Sequence, residues 1–158
     1  MSARMDSSMP RHPIAPKYHW SILKEYEYWT LLLHEEPSPF LGRAVVWLAR
    51  EGEMQRYSEL SINELEELKQ VLTEYERVLQ HLWKPDHMNY MWLGNFFHEH
   101  SGHGHMHVLP RYKEPREFDG ACFADARYGQ FHFPYERPEF SRKQMEMVCD
   151  VLREQLAT

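Results

Sequence analysis

The sequence predicts an α+β domain built on an antiparallel sheet. Two amphipathic helical stretches and four short apolar runs lead to this expectation. The runs fall before the first helix and between the two helices. They do not alternate with helices one by one, so the pattern is not that of a doubly wound fold.

The first strand-like run is Tyr28 to Leu33 and the second is Ala44 to Leu48. Both are apolar and bounded by Pro, Gly and charged residues. The turn between them is Glu35-Glu36-Pro37-Ser38-Pro39. A helix follows from Asn63 to Trp83. Ser61 and Glu64 have capping-box spacing, and Leu65, Leu68, Val71, Leu72, Tyr75, Val78, Leu79 and Leu82 share one face. Lys84-Pro85-Asp86 ends it. A third run spans Asn89 to Phe97, and a fourth spans Gly104 to Pro110. Pro115 to Pro138 is rich in Phe, Tyr, Gly and Pro and reads as an ordered loop with one short strand. Its aromatics suit a core or subunit interface better than a base-stacking platform. The last helix is Ser141 to Leu156, capped by Ser141 and Gln144, with Met145, Val148, Leu152 and Leu156 inward.

A chain of 158 residues suits one domain. Residues 1–17 hold Ser, Pro and Arg without an apolar core segment, and are expected to be a flexible tail ahead of a single domain at 18–158. The net charge of −6 gives no general attraction to polyanions, which argues against a nucleic-acid partner. A small anionic ligand needs only a local site. The absence of a long apolar run argues against a membrane partner. Cys122 and Cys149 form no CxxC motif, so they are expected to be reduced, partly buried thiols in a cytoplasmic protein.

Of eleven histidines, five lie close together: His98, His100, His103, His105 and His107. The last three alternate with Gly104, Met106 and Val108. On a strand, alternate residues share a face, so the three imidazoles point one way and Met106 and Val108 point to the core. Buried imidazoles need hydrogen-bond partners, and three in register are hard to explain as packing alone. Two chemistries fit. A zinc-type ion could take two of them plus His98, His100 or Glu99. All three cannot share one ion, because the outer pair lie roughly 13 Å apart along a strand. Alternatively, a neutral imidazole attacks phosphorus while its neighbours bond oxygens.

The segment His103-Gly104-His105-Met106-His107-Val108-Leu109-Pro110-Arg111 resembles the histidine triad motif. Pro37 to Val46 is similar to that family's turn into an apolar strand, and the likeness extends over Trp29 to Tyr112. The resemblance implies a five-stranded antiparallel sheet with one long helix and a C-terminal helix. It implies a homodimer with no required cofactor, a divalent metal remaining an alternative. It also implies a hydrolase or nucleotidyltransferase attacking the α-phosphate of a nucleoside phosphoramidate, adenylated compound or dinucleoside polyphosphate. His105 would be the nucleophile, forming a nucleotidyl-histidine. His107 would bond the phosphate or leaving-group oxygens, and His103 would support the site. Asn95, Ser101 and His34 would contact nucleotide or phosphate. His34 stands where many members carry Asp or Asn. His98-Glu99-His100 stands in the leaving-group loop, where many members carry a Gly-Gln-Ser pattern. Arg111 is a candidate phosphate contact, although an arginine ending a strand is more often a structural ion-pair partner. The rival readings are a zinc-type protein using the His98–His107 cluster and a non-catalytic nucleotide-binding protein.

Overall fold

The computed structural model describes residues 10–11, 13–51, 56–93 and 103–158. Five strands form one antiparallel sheet: β1 (Ile22–Glu25), β2 (Trp29–Leu33), β3 (Ala44–Leu48), β4 (His87–Met91) and β5 (His105–Arg111). Their order across the sheet is β1-β2-β3-β5-β4. Helix α1 (Ile62–Leu82) follows β3, and α2 (Arg142–Leu156) ends the chain. A hairpin of β6 (Arg116–Phe118) and β7 (Ala121–Phe123) lies between β5 and α2. The α+β expectation and the five-stranded sheet both hold. Among the described residues no helix is long and apolar enough to cross a membrane.

Helix α1 begins where its sequence predicts. Glu64 N–H donates to Ser61 Oγ at 3.1 Å and Ser61 N–H to Glu64 Oε1 at 3.2 Å. It ends as Trp83 N–H and Lys84 N–H both reach Leu79 O, with Lys84 left-handed at φ 51. Helix α2 starts on the equivalent Ser141–Gln144 box. Leu68, Val71, Tyr75, Val78 and Leu79 of α1, and Met145, Val148, Cys149, Leu152 and Leu156 of α2, are buried.

The register divides the sheet into two faces. Ala44 pairs with Val108 and Val46 with Met106, and these join Leu31, Leu33 and Leu48 in the core beneath the helices. Val45 pairs with His107 and Trp47 with His105, so these side chains occupy the other face. The alternation in the sequence therefore divides His105 and His107 from Met106 and Val108 as expected.

Four sequence expectations change. Strand β1 is additional; its four residues ILKE are too short and polar to show a run. Strand β4 starts two residues before Asn89, and its described part ends at Met91. The Pro115–Pro138 segment holds a two-stranded hairpin where one strand was expected. Cys149 is fully buried but Cys122 is exposed, both as free thiols. The domain boundary at residue 18 also falls inside a 3-10 turn, Pro16–Ser21. Ahead of it, Arg11 donates to Tyr26 O at 3.1 Å, Glu27 O at 2.9 Å and Thr30 Oγ1 at 3.3 Å. This part of the expected tail is thus laid against the β1–β2 turn.

Candidate active site

His105 is buried on β5, and its ring geometry assigns its proton. Its Nδ1 lies 3.1 Å from the carbonyl oxygen of His103, which can only accept. Nδ1 is therefore the donor, and in the neutral ring the lone pair sits on Nε2. That Nε2 lies 3.1 Å from Nε2 of His107. A bare Nε2 on His105 makes the His107 Nε2–H the donor of this bond. Burial first, then the nearby His105 and Arg43, pull the pKa of His107 down to about 2, so its ring is neutral. The pair can present one nucleophilic nitrogen and one adjacent N–H donor.

His103 is held differently. Its Nε2 donates to Leu48 O at 2.5 Å, and its ring lies against Trp47 with centroids 4.5 Å apart. This ties β5 to the end of β3. Its own carbonyl orients His105, so the residue acts through its backbone as much as its ring.

The two histidines line an open cleft of about 170 Å³. Leu32, Val45 and Trp47 on the sheet face form its floor, and Ile14, Ala15 and Tyr18 form a wall. His34 lines it too, its ring 6.1 Å from that of His107. His34 Nδ1 faces the backbone of Glu36, 3.3 Å from its nitrogen and 3.5 Å from its carbonyl oxygen. Burial and then Arg43 bring the His34 pKa down to about 3. An apolar floor ending in convergent polar groups suits a ligand with a flat apolar part and a polar or anionic end.

The sequence-predicted residues divide three ways. His105, His107 and His34 line the cleft, and His103 packs against Trp47, which lines it too. Asn95, His98, Glu99, His100 and Ser101 lie outside the described residues. Arg111 is corrected as a phosphate contact, because its five N–H donors are all engaged within the protein. Nε and Nη2 bond Asp125 at 2.6 and 3.0 Å; Nη1 bonds Asn89 Oδ1 and Gln130 O; Nη2 also reaches Arg127 O. Both members of the ion pair are buried. Among the described residues no group of three or more His, Cys, Asp or Glu is arranged to hold a metal ion.

Several residues at the site escaped the sequence reading. Trp47 and Arg43 share the face of the triad through the β3–β5 register, and a lone strand does not reveal which face it turns to which neighbour. His132 and Tyr135 arrive from the loop after β7. Burial, then Arg43 and Arg111, bring the pKa of His132 down to about 4. Arg43 Nη1 donates to Tyr135 Oη at 2.9 Å. The 3-10 turn that walls the cleft carries no motif.

No family model and no curated protein matches the sequence. Solved structures do match. A histidine triad protein from Bradyrhizobium japonicum superposes with a TM-score of 0.66 at 13% identity, over 93% of this chain and 99% of that one. A hypothetical histidine triad nucleotide-binding protein from Sulfolobus tokodaii gives 0.60 at 18% identity, over 87% and 83%. The diadenosine triphosphate hydrolase of Plasmodium falciparum gives 0.54 at 14% identity, over 86% and 76%. The chain has the fold of the histidine triad proteins.

Proposed function

We propose that this protein is a histidine triad enzyme, a nucleotide hydrolase or nucleotidyltransferase that works through a covalent nucleotidyl-His105. The observation that carries this reading is the His103 O···Nδ1 bond of His105, which leaves Nε2 as a nucleophile beside the Nε2–H of His107. A neutral imidazole with its second nitrogen held by a carbonyl is ready to attack without first losing a proton. The fold shared with proteins described as nucleotide-binding and as a diadenosine triphosphate hydrolase supports the same substrate class.

In the first step His105 Nε2 forms a bond to the α-phosphorus, and the bond from phosphorus to the leaving group breaks. The electron pair leaves with the departing atom, which accepts a hydrogen bond from His107 Nε2–H. In the second step water attacks phosphorus, the N–P bond breaks, and the pair returns to His105. The proton released by water passes to the departed group, and His107 keeps its Nε2–H throughout. An acceptor alcohol or phosphate in place of water makes the reaction a transfer. The cleft floor of Leu32, Val45 and Trp47 receives the nucleoside, and His34 meets its polar part with one hydrogen bond.

The test is single-turnover reaction with a labelled dinucleoside polyphosphate or phosphoramidate, quenched and analysed for label on histidine. Label is expected on His105. The His105→Ala protein is expected to lose turnover by roughly a thousand-fold or more. Full turnover by that variant would rule out the covalent route.

A further inference from the structure

Two arginines are buried on this side of the sheet, and they are built in opposite ways. Arg111 meets a buried carboxylate and has every donor engaged. Arg43 is also buried, at 7% exposure, yet no carboxylate lies within 4 Å of it among the described residues. Its one side-chain hydrogen bond goes to the neutral hydroxyl of Tyr135, whose ring its guanidinium also approaches at 5.8 Å. Its Nε is buried without a hydrogen-bond partner. A buried cation without an anion is costly, and an arginine does not relieve the cost by giving up its proton.

The charges that could answer Arg43 are already spoken for. Asp125 is paired with Arg111. Glu36 is near enough to act on Arg43 through its field, but it is bonded to Arg137 at 2.7 Å. His34, His107 and His132 are held neutral around it. The neighbourhood therefore keeps one unanswered positive charge inside a chain of net charge −6.

Its position matters as much as its charge. The β3–β5 register sets Trp47 beside His105 and Val45 beside His107, which puts Arg43 one step further on the same face. Two residues of strand carry it about 7 Å beyond Val45, on the side of His107 away from His105. In-line attack by His105 drives the leaving group away from His105, and Arg43 lies beyond His107 on that side by the register.

We propose that Arg43 determines leaving-group specificity: its guanidinium binds the anionic phosphate that departs when His105 attacks, so the preferred substrate is a phosphoric anhydride and not a phosphoramidate with a neutral amine. This rests on the His105 reading given above. The P–O bond to the bridging oxygen breaks, that oxygen keeps the electron pair and accepts a hydrogen bond from His107 Nε2–H, and Arg43 holds the charge of the departing phosphate. Tyr135 keeps the guanidinium in place through Nη1.

The experiment compares two substrates with the same nucleoside and the same attacked phosphorus, one a dinucleoside triphosphate and the other a nucleoside phosphoramidate. Each is run with wild type, Arg43→Gln and Arg43→Lys. Arg43→Gln is expected to lower kcat/KM for the anhydride by about 100-fold while changing the phosphoramidate value by less than about 3-fold. Arg43→Lys keeps the charge without the planar fork and is expected to fall between. If Arg43→Gln does not fold, the selective loss is read from Arg43→Lys alone. Equal losses on both substrates, or no loss on either, overturn the proposal. Calorimetric titration with inorganic pyrophosphate judges the site without turnover. Binding by wild type that Arg43→Gln loses upholds the anion site even if His105 proves not to be a nucleophile. Equal binding by both, or binding by neither, overturns it.

Discussion

Arg111 and Asp125 show how one residue identity carries two incompatible expectations. An arginine after a histidine strand can be a phosphate ligand, and is more often a strand-end ion-pair partner. The structure assigns it to the second, through a two-point contact at 2.6 and 3.0 Å between groups almost wholly out of water. Removing one partner of such a pair strands the other charge, which costs about 3–5 kcal/mol. Asp125→Asn is therefore expected to lower the unfolding free energy by about that amount in urea denaturation. Activity per folded molecule is expected to change little. A stable variant that has lost substrate binding would return Arg111 to the ligand role. The histidines were more legible than the arginines, because alternation in one strand is written in the sequence itself. The proton assignment on His105 was not, since it depends on the carbonyl of His103 lying 3.1 Å away.

At the scale of elements, the passage from β2 to β3 governs the site. It delivers His34 at one end and Arg43 at the other, with Gly42 between Leu41 and Arg43. Gly42 has φ +91, and a Cβ there would meet Leu79 Cδ2 at 2.6 Å and the Trp83 ring at 3.1 Å. Its carbonyl accepts from Tyr75 Oη at 2.6 Å, so α1 fixes the turn through both packing and a hydrogen bond. Gly42→Ala combines left-handed strain with a clash against the end of α1. It is expected to destabilise the fold by about 2–4 kcal/mol. A thermal melt unchanged within 1 °C would show that the turn relaxes freely. The helices themselves were readable to within a residue, because capping boxes and apolar spacing are local. Strand β1 and the β6–β7 hairpin were not, since four- and three-residue strands carry too little pattern and are held by their neighbours.

At the scale of the whole molecule, three histidines whose charged form is disfavoured by burial make stability depend on pH. Unfolded, each takes up a proton near pH 6.5. Folded, burial keeps His132, His34 and His107 neutral down to about 4, 3 and 2. As pH falls below 6.5 the unfolded chain gains protons that the folded chain refuses, so stability is lost as pH falls. Each site contributes roughly 1.4 kcal/mol per pH unit within its window. Glu67, its pKa raised chiefly by burial, works in the opposite direction on approach to the carboxylate range. The urea midpoint is expected to drop steadily from pH 6.5 to 4.5, and His132→Gln is expected to shallow that slope by about a third. A midpoint flat over this interval would mean that the three rings protonate freely in the folded state.

What the sequence determined by itself was the local and periodic part. The capped helices, the apolar strands β2, β3 and β5, and the common face of His105 and His107 all follow from spacing along one segment. The tertiary structure alone decided what meets that face. Trp47, Arg43, His34, the arm around Tyr18 and the loop around His132 and Tyr135 reach it from segments up to about a hundred residues apart, through sheet order and register. Those choices depend on long-range packing. So the alternating histidines were visible in one strand, while the buried Arg43 on the same face appeared only when β3 was laid beside β5.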